Sequence, residues 1–219
     1  MRAHHIRVRE SFLFDLILSA GWPVWPLLML SVLAVALILE RAWFYRSRHV
    51  ADAETIDPVL NQCHQALPTQ QQTQALAQSS LLGHLLAIGI ERVRQQPTLS
   101  DAGLRQTLEL EGRIMAARLD QYLPWLATIA STATLLGLLG TVIGMIEIFA
   151  AQSAQGQQPA QLAQGISIAL YNTAFGLLVA IPSLLAWRGL KSRADHHLMR
   201  MEVACERLVQ QLQQLQRPR

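Results

Sequence analysis

The stretch from Leu126 to Ala150, LATIASTATLLGLLGTVIGMIEIFA, constrains what this chain can fold into more than any other. It carries no charge before Glu147, and at 1.5 Å per helical residue it is long enough to cross a hydrocarbon core about 30 Å thick. It is also rich in small residues. Ala130, Ala133, Gly137, Gly140 and Gly144 recur at steps of three and four, which places them on one nearly flat helix face. Flat faces let helices approach closely, and Thr132, Thr134 and Thr141 add hydroxyls to the same span. The stretch therefore reads either as a packing helix inside a bundle or as a wall of a conduction path.

Two more spans are expected. Of the 219 residues, 51% are hydrophobic and only 15% charged, too apolar a balance for an ordinary soluble domain. Between Asp15 and Glu40 lie 24 uncharged residues, and Trp22, Trp25, Trp43 and Tyr45 sit near the two ends, where amphipathic rings prefer the headgroup layer. This predicts a first span over 22–45, with the preceding segment 1–21 amphipathic and interfacial. The arginines at its start superficially resemble those of a signal peptide, but the apolar run continues through Pro23 and Pro26 without a small-residue cleavage site, so it reads as a retained anchor. The second span is 122–150. In the third, 165–187, Gly165, Ala169, Asn172, Gly176, Ala180 and Ser183 form another small, polar face that should meet the first.

The remaining segments are charged or glutamine-rich. Residues 46–121 contain no run able to cross a membrane. Within them Gln65 to Ser79 reads as a weakly structured connection or an exposed helix, Leu81 to Val93 as a buried helix, and Ser100 as the cap of a helix that Pro124 bends rather than ends, so that it runs directly into the second span. The uncharged 151–164 reads as a short external loop. In 188–219, Leu190, Ala194, Leu198, Met201, Cys205, Leu208, Leu212 and Leu215 keep a three-four rhythm, the mark of an amphipathic tail helix. The loop between spans two and three has no arginine, whereas Arg113 and Arg118 precede span two and Arg188, Lys191, Arg193 and Arg200 follow span three. The positive-inside rule then puts that loop in the periplasm and the long domain and tail in the cytoplasm; three spans leave the N-terminus periplasmic, with Arg2, Arg7 and Arg9 outside against Arg41, Arg46 and Arg48 inside, so span one supports the orientation less cleanly. The expected fold is an all-α membrane protein with three transmembrane helices, two of them extended into a cytoplasmic helical domain.

Several function classes lack their residues. The seventeen arginines and one lysine are scattered or flank apolar runs, with no basic stripe for nucleic acid. No nucleophile–base pair, zinc spacing, Walker loop or dinucleotide fingerprint is present, so neither enzyme chemistry nor a cofactor or metal is expected. His4-His5 and His196-His197 are adjacent pairs whose side chains diverge on a helix, which favours surface histidines over metal ligands. Cys63 and Cys205 lie far apart in segments assigned to the cytoplasm and read as free thiols. Glu147, about one turn from the outer end of its span, reads as a pathway mouth rather than an obligatory proton carrier. Glu40 and Arg41 read as boundary residues.

In order, GWPVWPLLMLSVLAVALILERAW, LPWLATIASTATLLGLLGTVIGMIEIF and GISIALYNTAFGLLVAIPSLLAWR resemble the MotA/TolQ/ExbB proton-channel family, in particular its ExbB-type members; the LLGLLGTVIGM and TAFGLLVAIP cores are the specific part. The resemblance implies an inner-membrane homopentamer whose helices surround a dimer of a small ExbD-like protein, a single span bearing an aspartate. Protonation and release of that aspartate would convert proton motive force into mechanical work on TonB for outer-membrane nutrient import. By matched position, Thr132 and Thr173 correspond to the family's lumen-facing threonines; Gly137, Gly140, Gly144 and Gly176 are helix-packing positions by their spacing alone.

Two departures stand out. Family members often have proline where Thr134 stands, and many carry glutamate where this chain has Ile168. Without that glutamate, span three offers no deep carboxylate, so proton passage would rest on the partner's aspartate with hydroxyls and water. Other readings are a TolQ-like subunit serving envelope integrity, a flagellar MotA, which the count of three spans disfavours, and a membrane scaffold that conducts nothing.

Overall fold

The computed structural model describes residues 22–45, 50, 53–63, 66–155 and 159–216. The segment 1–21, with its interfacial reading and the pair His4-His5, lies outside the described residues. Every described element is an α-helix: α1 (Val24–Phe44), α2 (Ala53–Gln62), α3 (Gln70–Ser79), α4 (Leu81–Gln95), α5 (Asp101–Asp120), α6 (Leu123–Gln155) and α7 (Pro159–Gln216). Three stretches, in α1, in α6 and in α7, are long and apolar enough to cross a membrane. The described residues form two compact units. An apolar unit takes in the described part of 1–39 together with 124–187, and a charged unit takes in 40–123 and 188–219.

In the apolar unit, α1, α6 and α7 meet at Leu27, Ala133 and Ala180, with Leu30, Leu136, Phe175 and Val179 packed around them. Two of the three central residues are alanines, so the contact depends on close backbone approach rather than on side-chain volume. Helix covers more of the connection between spans than a short turn would. α6 runs to Gln155 and α7 opens on Pro159, leaving 156–158 outside the described residues. Alanine and glutamine favour helix, and proline is well suited to a first helical position. Pro182 is carried inside α7.

The charged unit is built differently. Its helices are individually capped: Thr69 and Gln72 form a reciprocal capping box on α3, Ser80 Oγ accepts from Gly83 N at 3.1 Å, and Ser100 Oγ accepts from Gly103 N at 3.2 Å. The glutamine-rich stretch is thereby an exposed helix with Thr73 and Leu76 inward. Leu85, Leu86 and Ile90 of α4, Leu108, Met115 and Leu119 of α5, and Met201, Leu208 and Leu212 of α7 are buried. The chain does not pass from α5 to α6 in one helix. It breaks at Gln121–Tyr122, before Pro124, with Tyr122 at φ 68°. A residue before proline is disfavoured in the helical region, yet the break comes two residues earlier and puts a tyrosine in the left-handed region, at a cost of roughly 1–2 kcal/mol. The Tyr122 ring is held there by the Arg41 guanidinium, 4.8 Å from its centroid.

Candidate functional site

The seam between α6 and α7 in the apolar unit brings together the two small-residue faces. A Cβ added at Gly176 would stand 2.7 Å from Ala133 O and 2.8 Å from Gly137 Cα. One at Gly137 would stand 3.0 Å from Asn172 O and 3.1 Å from Gly176 Cα. These neighbours are backbone atoms with no rotamer to turn away, so only glycine fits either position without moving a helix. Further along, a Cβ at Gly140 would meet Asn172 Cβ at 2.6 Å and one at Gly144 would meet Ala169 Cβ at 3.0 Å. Ile148 lies over Gly165 at the end of the hairpin. The order of these pairs makes the helices antiparallel.

The hydroxyls divide by what they bond. Thr128, Ser131 and Thr134 donate to the carbonyls four residues earlier, Thr141 donates to Leu138 O, and Ser167 and Ser183 likewise bond within α7. Such bonds only return a donor to its own helix. Thr173 is different: its Oγ1 donates across the seam to Gly137 O at 3.2 Å, made possible because Gly137 has no side chain in the way. Its two lone pairs stay available to accept from water or a partner. Thr132 is half-buried, and among the described residues its hydroxyl makes no hydrogen bond. The two threonines are not neighbours. In this register Thr132 stands level with Ala180 and Ile181, roughly two turns from Thr173.

Glu147 is exposed, beyond Gly144 towards the hairpin end. Ile168 is a half-buried aliphatic, and the Thr134 hydroxyl is bonded to its own backbone. Asn172 is 2% exposed within the seam. Its sequence signal was an amide on an otherwise small face, which marked close packing but gave no reason to expect full burial.

The charged unit corrects one sequence expectation. His196 is exposed, but His197 is buried, stacked on the Tyr45 ring with centroids 6.3 Å apart, and its Nδ1 has no hydrogen-bond partner. It shares the inward face of α7 with Leu190, Ala194, Met201 and Ala204, a periodicity that identifies it once the tail is known to pack on that side. Burial, reinforced by Arg200, His196 and Arg193, holds its imidazole below the ordinary value. Arg41, at the edge of the apolar unit, has its side chain inward. It is 3% exposed, lies over the Phe44 ring as well as the Tyr122 ring, and pairs with the more exposed Glu40 at 3.1 Å. Tyr45 donates its hydroxyl to Leu119 O.

α5 and α7 are joined by ion pairs at both ends. Arg105 forks onto Glu206, one contact being 2.8 Å, and Lys191 reaches both Asp120 oxygens at 2.8 Å as well as Asp195 at 3.1 Å. The Asp120 hydrogen bond raises the Lys191 ammonium above its usual value, and Arg105 lowers the Glu206 carboxyl. Cys63 and Cys205 are free, and burial pushes their thiols up to about 11 and about 12. No three His, Cys, Asp or Glu side chains gather as a metal site among the described residues.

Residues 77–203, which include this seam of glycines, match the MotA/TolQ/ExbB proton channel family. The chain belongs to the MotA/TolQ/ExbB family. It is 32% identical over 184 residues to the biopolymer transport protein ExbB-like 1 of Synechocystis, covering 82% of this chain and 71% of that one. It is 33% identical over 118 residues to ExbB of Aquifex aeolicus (53% and 76%), and 35% identical over 109 residues to the Tol-Pal system protein TolQ of Pseudomonas aeruginosa (48% and 47%). With three apolar helices and this membership, the ExbB-like chain is a multi-pass inner-membrane protein.

Proposed function

We propose that this chain is a proton-channel stator subunit which, with an ExbD-like partner, converts proton motive force into mechanical work on TonB for outer-membrane nutrient import. The observation that carries the reading is the glycine seam: it fixes α6 and α7 as one rigid wall and leaves the Thr173 oxygen and the unspent Thr132 hydroxyl as polar groups on apolar helices. A hydroxyl does not titrate in the working range, but it orders water and accepts or donates along a proton path. In this mechanism the titrating group belongs to the partner, a single-span protein with a transmembrane aspartate. A buried carboxylate is costly, so water and threonine hydroxyls stabilise its charged form, and protonation removes that need and frees the partner helix to move.

The assembly is a homopentamer around the partner, in the lipid bilayer of the inner membrane. Its N-terminus and the 151–164 connection are periplasmic, and its 46–121 and 188–219 segments cytoplasmic. The arginines that flank spans two and three support this orientation. Glu147, exposed near the hairpin end, serves as the pathway mouth. A TolQ-like role in envelope integrity is the second reading, favoured by the identity to TolQ. The test is proton flux in vesicles holding the chain with and without an ExbD-like protein. Partner-dependent flux is expected, and no flux in either would make the chain a scaffold. Copurification of a TonB-like protein separates the TonB role from the TolQ one.

A further inference from the structure

Between α2, α4 and α7 of the charged unit lies an open groove of about 370 Å³. Its floor is apolar: Ile56 and Leu60 of α2, Leu82 of α4 and Ala204 of α7 are all buried. On its α7 wall, Met199 and Val203 stand one turn apart and are 64% and 49% exposed, although they belong to the charged unit. Apolar side chains this exposed around a concave floor mark contact with another molecule.

What covers them follows from the charges in the same groove. Arg200 and Arg207 line it, both exposed, and neither makes an ion pair among the described residues. A helical arginine is commonly matched by an acid three or four residues away. Here those positions hold His196, His197, Val203, Ala204, Gln210 and Gln211. The acids of α7 are engaged or placed elsewhere: Asp195 pairs with Lys191, Glu206 pairs with Arg105, and Glu202 lines a separate groove beside α5. Asp57 of α2 is the one acid lining this groove among the described residues, against two arginines, and Arg193 continues their row one heptad earlier. The surface is therefore apolar with a basic edge.

Arg200 and Arg207 are about 10 Å apart along the helix, with Val203 midway. A second helix laid in the groove reproduces that spacing when it carries two acids seven residues apart and apolar residues between them. A lipid headgroup is the poorer match, because Arg200 stands about 20 Å along α7 from Trp187, the last residue of the apolar unit.

We propose that this groove docks an acidic amphipathic helix of a partner protein, with its carboxylates on Arg200 and Arg207 and its apolar side chains on Met199 and Val203. The docking is independent of the proton pathway described above.

The test is fluorescence anisotropy with the full-length assembly in phosphatidylcholine nanodiscs. The probe is a labelled alanine- and glutamine-based peptide of about 20 residues, with two glutamates seven apart and leucines between them. Its counterpart carries glutamine for both glutamates. The glutamate peptide is expected to bind about tenfold tighter than the glutamine peptide, and Arg200→Gln with Arg207→Gln to remove that advantage. Both side chains are exposed, so these substitutions spare the fold. Arg92→Gln with Arg118→Gln lowers the net charge equally at exposed arginines outside the groove and is expected to retain the advantage. Arg200→Glu with Arg207→Glu is expected to reverse the preference, towards a peptide with lysine for both glutamates. Equal affinity for the glutamate and glutamine peptides overturns the docking, as does an advantage that survives Arg200→Gln with Arg207→Gln or is lost as fully in Arg92→Gln with Arg118→Gln. Absence of binding to the native assembly also overturns it and leaves the groove to a neighbouring copy or to lipid.

Discussion

The two units of this chain solve the same problem, holding helices together, by opposite means. In the apolar unit α6 and α7 approach until backbone meets backbone at Gly137 and Gly176, and most of the hydroxyls there bond to their own helices. In the charged unit the helices are capped and packed through leucines, and every ion pair among the described residues lies within it. The difference follows from solvent. Against lipid, burying a leucine gains little, because the tails are as apolar as the side chain, so contact area from small residues holds the helices. Against water, leucine burial is the main driving term, and exposed ion pairs add little. The threonine that departs from the pattern of its unit, Thr173 bonding across the seam, is therefore the informative one.

The sharpest way to break the comparison is to remove a leucine from one unit and add a methyl to the other. Leu208→Ala, at a fully buried position, is expected to destabilise the charged unit by about 2–5 kcal/mol, read as a lowered midpoint in hydrogen-exchange or thermal unfolding. Gly176→Ala places its methyl against Ala133 O and Gly137 Cα, and overpacking of that kind costs about 1–3 kcal/mol. Its effect should appear as loosened exchange protection in α6 and α7, and an unchanged profile would mean the seam is not close-packed. The outward Gly112→Ala, where an added Cβ meets nothing within 4 Å, is the matched control and should not destabilise.

A smaller effect separates the units by pH. His197 is held below its ordinary value by burial first and then by neighbouring cations, so the folded state favours the neutral ring. As pH falls through about 6.5, the unfolded chain takes up the proton first. Stability from this group is thus complete above that pH and lost below it. The melting midpoint of the native protein should fall more between pH 7.5 and 5.5 than that of His197→Phe, and equal falls would refute the assignment. Smallest of all is the exposed Arg105–Glu206 pair: Glu206→Gln should barely move the melting midpoint, with the difference shrinking further at high salt.

Much of this arrangement was legible in the sequence because it is local and periodic. The apolar runs, the Ser100 cap and the helix from Leu81 follow from side-chain spacing alone. What was not legible depends on partners distant in sequence. The break at Tyr122 needs Arg41, about 80 residues earlier, to hold the ring, and nothing around Pro124 marks it. His197 looked like half of a surface pair because adjacent side chains diverge; the divergence is real, and it sends one ring inward onto Tyr45. For the candidate site, the small faces on α6 and α7 were readable as faces, whereas the cross-helix bond of Thr173 depends on which residues of the two faces come level.

In the proposed mechanism the two threonine hydroxyls serve proton passage. This is tested most directly by proton flux in vesicles containing the chain and its single-span partner, comparing Thr132→Val with Thr173→Val in one protein against Thr132→Ser with Thr173→Ser. Serine keeps the hydroxyl, and valine keeps the shape while removing it. Serine should retain most of the flux and valine should abolish partner-dependent flux, with both variants assembling like the native chain. Undiminished flux in the assembled valine variant would contradict the account.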